Sequence, residues 1–263
     1  MLEALRRIES KTEHELPGDQ AISHEEPDVV ERIDELVTTV SNELESKDEP
    51  DVVSFVQRTT EVGRKEHKPA NYRYFRDLAD NILSNCVPNR ASVVMFAAID
   101  FDEGSQSIVG PLSEVLAERA DGDVVVVDFN FDRPELAERL SIQSEFGLTD
   151  VLSGKASCAE AICGTDTDGL FVLSGVNPLD VVRRRGGDFD MQPILDELRR
   201  DYSVVLLSAA SPSTSEVAHA ARLCDVVYLI IRMGITTRRA AQRAIRHIER
   251  RGGRVLGCVL TDV

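Results

Sequence analysis

The side chains best placed to do chemistry, or to forbid it, lie just after an apolar run. Ser92–Ala98 reads as a buried strand. The residues Ala97–Ser107 that end and follow it are Ala-Ala-Ile-Asp-Phe-Asp-Glu-Gly-Ser-Gln-Ser. A turn from a buried strand into a helix presents free backbone N–H groups and the positive end of the helix dipole, an arrangement suited to phosphate. The residue types here work against a phosphate. Asp100, Asp102 and Glu103 gather at the turn, and no lysine or arginine stands among them. One carboxylate at about 5 Å from a phosphate costs on the order of 3 kcal/mol at an effective dielectric of 20. The same carboxylates serve the helix N-terminus directly, at about 0.3–1 kcal/mol each. Gly104 supplies the backbone freedom that a tight turn needs.

A second cluster follows the apolar run Val124–Asp128, which ends in Asp-Phe-Asn-Phe-Asp-Arg-Pro. Asp128 reads either as a strand-end carboxylate capping the next turn or as a catalytic base and magnesium-network residue. Arg133 reads as a packing or salt-bridge residue in both cases. His219 and His247 fall on helical stretches without metal-ligating neighbours, so they read as surface or packing residues. The five cysteines, Cys86, Cys158, Cys163, Cys224 and Cys258, are odd in number and irregular in spacing. They read as free thiols, with no zinc knuckle and no disulfide framework.

The elements that must position these residues alternate. Helix Tyr74–Leu83 precedes strand Ser92–Ala98. Strand Val124–Asp128 leads to a helix near Arg133-Pro134. Strand Leu170–Leu173, helix Met191–Arg200 and strands Ser203–Leu207 and Val226–Ile231 follow. Helix Thr236–Arg251 and a last strand, Val255–Leu260, close the chain. Continuous Val/Ile/Leu strands alternating with helices predict an α/β fold, a doubly wound and mostly parallel sheet covered on both faces. Residues 71–263 form this domain.

Residues 1–70 read differently. From Met1 to Lys68 there are 18 acidic and 9 basic side chains, so about −9 of the formal charge of −16 lies in the first quarter of the 263 residues. Short apolar stripes at Leu2, Leu5 and Ile8, and at Val29, Val30, Ile33, Leu36, Val37 and Val40, have helical spacing. They predict an acidic N-terminal extension, partly disordered, with short amphipathic helices. The helix at Leu2–Ser10 reads as a frayed tail or as a docking helix. The Arg183-Arg184-Arg185 run and the Arg238–Arg254 series read as solvated helix face or as a dock for the acidic extension. The overall acidity argues against nucleic acid, whose binding needs a basic face, and against a polybasic membrane surface. No run approaches the roughly 18 apolar residues needed to span a bilayer, and the charged N-terminus lacks the apolar core of a secretory signal. A cytoplasmic protein is the expectation.

Several segments, in this order, resemble the bacterial tyrosine kinases (BY-kinases) of exopolysaccharide and capsule biosynthesis, P-loop ATPases akin to the septum-site and partitioning ATPases. Phe75–Leu83 looks like their pre-domain helix. Val124–Pro134 looks like their second Walker motif. Phe146–Gly154 and Leu229–Ala240 match two further family segments. The resemblance covers about Arg73 to Val263 and implies a P-loop NTPase fold. It also implies what is missing. Where the family loop has Pro-Gly-Glu-Gly-Lys-(Ser/Thr), this chain has Phe101, Asp102, Glu103, Gly104, Ser105 and Gln106, followed by Ser107. Ser105 takes the place of the phosphate-binding lysine and Gln106 that of the magnesium-ligating hydroxyl. Asn130 replaces the second aspartate beside Asp128. Ser208 stands where an aspartate is expected, and Thr261 where an asparagine near the adenine is expected. The Glu-x-x-Arg-x-x-Arg oligomerisation pattern becomes Arg73, Arg76 and Ala79. A C-terminal tyrosine cluster is absent from the sequence, whose tyrosines are Tyr72, Tyr74, Tyr202 and Tyr228.

The chain is expected to be a pseudokinase, a regulatory or scaffolding component of polysaccharide biosynthesis and export with no cofactor. The alternatives are an active protein-tyrosine kinase or ATPase using ATP and Mg²⁺ with an atypical loop, and a partitioning-type positioning protein. The resemblance implies a separate membrane chain-length or export protein as partner, self-association as a homo-oligomer, and a peripheral place at the inner membrane through that partner.

Overall fold

The computed structural model describes residues 72–86, 90–99, 104–131, 133–175 and 190–261, with the backbone alone for 104–107. The expectations for residues 1–70, for Asp100, Asp102 and Glu103, and for Arg183–Arg185 lie outside the described residues. The described elements run α1 (Tyr72–Ser84), β1 (Ser92–Ala98), α2 (Gly104–Ala117), β2 (Val124–Phe129), α3 (Leu136–Arg139), α4 (Leu148–Ser153), α5 (Cys158–Ala161), β3 (Ile162–Gly164), β4 (Leu170–Leu173), α6 (Gln192–Asp201), β5 (Val204–Ala209), α7 (Ser215–Ala221), β6 (Val226–Arg232), α8 (Arg238–Glu249) and β7 (Val255–Thr261).

The seven strands form one sheet in the order β3-β4-β2-β5-β1-β6-β7. All neighbours are parallel except β3, which pairs antiparallel with β4 at one edge. β1, β2 and β5 are buried along their whole length. That burial explains their unbroken apolar runs, since a parallel strand has both faces covered by helices. The order reverses around β1, which lies between β5 and β6. The carboxyl ends of the strands beside such a reversal are where doubly wound folds place ligands.

One core layer holds Val94 and Phe96 of β1, Val124 and Val126 of β2, and Leu206 of β5 against Val109, Leu112 and Leu116 of α2 and Phe75, Ala79 and Ile82 of α1. Tyr228 of β6 stacks on Phe96 with ring centroids 5.2 Å apart, and its hydroxyl donates to Asn81 Oδ1 of α1 at 2.8 Å. Tyr72 Oη donates to Glu118 at 2.6 Å, and Arg119 pairs with Asp80. These contacts bind α1 to the end of α2 and to the sheet.

The structure corrects several boundaries. The helix expected near Arg133-Pro134 begins at Leu136, whose N–H is satisfied by the Asp128 carboxylate of β2. β5 runs two residues past Leu207, because Ser208 and Ala209 stay in register with Asp128 and Phe129. Ser208 is therefore within the strand and not after it. Thr261, expected beyond the final strand, is the last residue of β7 and pairs with Arg232. The helix expected over Thr236–Arg251 is shorter, Arg238–Glu249, with the Thr237 hydroxyl accepting the N–H of Ala240 as its N-cap. α4, α5, α7 and the edge strand β3 are elements that apolar periodicity did not predict. Each is seven residues or fewer, too short for a period to register.

Candidate functional site

The carboxyl ends of β1, β2, β4 and β5 converge beside the N-terminus of α2. Alternation along β2 puts Val124, Val126 and Asp128 on the face that α2 covers. Asp128 is fully buried at the end of that row, and Ser208, also fully buried, is its register partner on β5. Ser208 in turn pairs with Phe96 on β1. The sheet thus brings together the sequence-predicted residues Asp128 and Ser208.

The Asp128 carboxylate works within the protein. Its Oδ1 accepts the backbone N–H of Asn130 at 3.1 Å, and its Oδ2 accepts that of Leu136 at 3.0 Å. The second bond caps α3, whose own N-cap residue, Glu135, makes no side-chain cap. Asn130 continues the pattern. Its Oδ1 accepts the backbone N–H of Arg133 at 3.3 Å, closing an Asx-type turn. Arg133 is exposed and stands 3.8 Å from Glu135.

Two further residues complete the surroundings of Asp128, and sequence reasoning missed both. Gly175 follows β4, and a Cβ there would lie 3.0 Å from the Asp128 carbonyl oxygen and 3.4 Å from its carboxyl carbon. Only glycine fits without displacing the strand end. The neighbouring Ser174 is buried, and its Oγ has no hydrogen-bond partner among the described residues, while its carbonyl accepts the N–H of Leu148 at 2.7 Å. The signal available in the sequence was the small-residue pair Ser174-Gly175 directly after the apolar run Leu170–Leu173.

The backbone of Gly104, Ser105, Gln106 and Ser107 forms the first turn of α2. Pro111 lies inside the same helix. It lacks the N–H that would bond the Ser107 carbonyl, so that first turn loses a hydrogen bond to the rest of the helix. Thr261 is buried at the far side of the sheet from Asp128, with β5, β1 and β6 between their strands. The sheet therefore does not bring Thr261 to the Asp128 cluster.

On α1, Arg73 and Arg76 are exposed, but Ala79 is fully buried against the core. A side chain longer than a methyl has no room at the third position of that pattern. Among the described residues no group of three or more His, Cys, Asp or Glu is placed to hold a metal ion, and no helix is long and apolar enough to cross a membrane.

No family model matches the chain. Among curated proteins it is similar to the tyrosine-protein kinase CpsD of Streptococcus pneumoniae, 27% identical over 120 residues, which is 44% of this chain and 52% of the relative. It is also similar to the tyrosine-protein kinase YwqD of Bacillus subtilis, 23% identical over 206 residues, 76% of this chain and 84% of the relative. The chain spans about half the length of the pneumococcal protein. Among solved structures, the kinase domain of Escherichia coli tyrosine kinase ETK superposes with a TM-score of 0.67 at 19% identity, over 80% of this chain and 87% of that one. The septum site-determining protein MinD of Pyrococcus horikoshii, solved with Mg-ADP, gives 0.56 at 20% identity over 65% and 70%. The fold is that of a BY-kinase-like P-loop protein.

Proposed function

We propose that this protein is a BY-kinase homologue without nucleotide chemistry, acting as a regulatory or scaffolding component of exopolysaccharide or capsule biosynthesis. The observation that carries the reading is Asp128. Phosphoryl transfer depends on positioning and on neutralising phosphate charge. The one acidic residue of the second Walker motif that this chain keeps at Asp128 is buried and accepts two backbone N–H groups. Its partner position, Asn130, closes the following turn, and the position paired with it on β5 is a serine.

The residue types at the loop support the same reading. Ser105 and Gln106 offer neither a cation for phosphate nor the usual hydroxyl for magnesium. Losing the lysine contact removes roughly 1.5–3 kcal/mol. Together with about 3 kcal/mol of carboxylate repulsion, this approaches four decades of affinity at about 1.4 kcal/mol each. Mg-ATP therefore does not fit the residues present. The partner on this reading is a separate membrane chain-length or export protein that brings the domain to the inner membrane. The polysaccharide system rests on likeness to the relatives alone.

Isothermal titration of the full chain with Mg-ATP tests the reading. No saturable heat is expected up to about 1 mM nucleotide. Binding tighter than about 50 μM, with turnover, would establish an active enzyme instead. The triple variant Asp102→Gly, Ser105→Lys, Gln106→Thr is expected to regain measurable affinity.

A further inference from the structure

The charge of residues 69–263 is segregated. This stretch has 28 carboxylates and 21 bases, and seven of the bases are arginines between Arg238 and Arg254. Glu249 is the single acid among those 17 residues, so 14 bases face 27 carboxylates in the remainder. The basic segment is α8 and the turn after it. The helix buries Ala241, Ala244, Ile245 and Ile248 against the fold. Arg239, Arg243, Arg246 and Arg250 are exposed on the opposite side. At 100° per residue their directions fall within a sector of about 60°, and the row is roughly 16 Å long. These four guanidiniums form no ion pair among the described residues. His247 of the same helix has its imidazole held below its ordinary value by burial first and then by Arg251 and by Arg250, one of the four.

We infer that the arginine row of α8 is a docking surface for an acidic polypeptide segment, one that presents carboxylates at every third or fourth residue. Three features select that occupant. A row of arginines, with no lysine between Arg238 and Arg254, suits planar two-point recognition of carboxylates. The row is one side chain wide, so a narrow peptide meets the arginines without meeting the acidic remainder of the domain. An anionic bilayer is an extended plane that also repels that remainder, and α8 turns its apolar residues inward, leaving none of them to insert. The inference is independent of whether the loop before α2 binds nucleotide.

Fluorescence anisotropy on the full chain tests it. The probe is a fluorescein-labelled 20-residue peptide of glutamate and alanine, with glutamates at alternating spacings of three and four. The wild-type chain is expected to bind it at low salt, and to lose affinity by about tenfold or more when ionic strength rises from about 0.02 to 0.2 M. The Arg239→Glu, Arg243→Glu, Arg246→Glu, Arg250→Glu variant is expected to lose at least about tenfold. The all-lysine counterpart keeps the charge, guards against misfolding of the glutamate variant, and is expected to fall between the two. Absence of peptide binding, or equal binding by wild type and the glutamate variant, overturns the inference. So does arginine-dependent binding to phosphatidylglycerol vesicles or to a 20-base-pair DNA duplex that matches or exceeds the peptide, because the surface would then read charge alone.

Discussion

The Oδ2 atom of Asp128 accepts the backbone N–H of Leu136 at 3.0 Å, across eight residues of sequence. A strand-end carboxylate thereby starts the next helix. Replacing Asp128 by Asn keeps the size but removes one acceptor and places an NH₂ group against an N–H donor. The expected loss is about 1–3 kcal/mol of folding stability, read as a lower urea midpoint. An unchanged midpoint would mean that the carboxylate is free for other work, and would weaken the pseudoenzyme reading with it.

Pro111 gives the opposite sign. It sits at the eighth position of α2 and withholds the N–H due to Ser107. The residue before a proline is pushed away from helical angles, and Gly110 is the residue that tolerates this best. Pro111→Ala restores the bond and is expected to stabilise the protein by about 1–3 kcal/mol, seen as a higher midpoint in the same urea titration. Loss of stability would mean that the proline ring packs better than the missing bond costs.

The strands were legible because parallel burial writes itself as continuous apolar runs. Leu170–Leu173 is predicted to the residue. The ends were less legible, because register decides them: Ser208 and Thr261 are polar, yet they remain in their strands through pairing with Asp128 and Arg232. The role of Asp128 was half legible. Its type and place at a strand end were visible, but the donor on Leu136 and the close approach of Gly175 depend on how β2, β4 and α3 meet in space. Summed charge was the least informative quantity. A total of −16 concealed the arginine row on α8, because a sum has no location.

The cysteines are all free, and three of them are chemically suppressed. Burial first, with the nearby Glu197 carboxylate second, pushes the Cys158 thiol up to about 11. Burial pushes Cys258 up to about 12 and Cys224 well above the ordinary thiol range. Since the thiolate is the reactive form, Ellman's reagent at pH 8 is expected to modify Cys86 and Cys163 first in the native protein. The full set of five is expected to react only once the protein is denatured. Rapid native labelling of Cys158 or Cys224, mapped by peptide mass spectrometry, would contradict the burial described.

His247 links pH to stability. Its ring nitrogens lie 2.6 and 3.0 Å from the Arg251 Nη1 atom, so the neutral ring accepts from the guanidinium. Burial, then the charges of Arg251 and Arg250, hold its pKa below the ordinary value. In the unfolded chain the same imidazole takes up a proton near pH 6.5. Above that pH both states are neutral at this residue, and the shift contributes no slope. As pH falls through about 6.5, the unfolded chain binds more protons than the folded one, so stability declines until the folded ring titrates as well. His247→Gln removes this term and keeps a polar side chain near Arg251. The midpoint temperature of the variant is therefore expected to fall less than that of wild type between about pH 7 and pH 5, with the gap opening only below pH 6.5. Parallel curves over that range would mean that solvent screening cancels the influence of the two arginines.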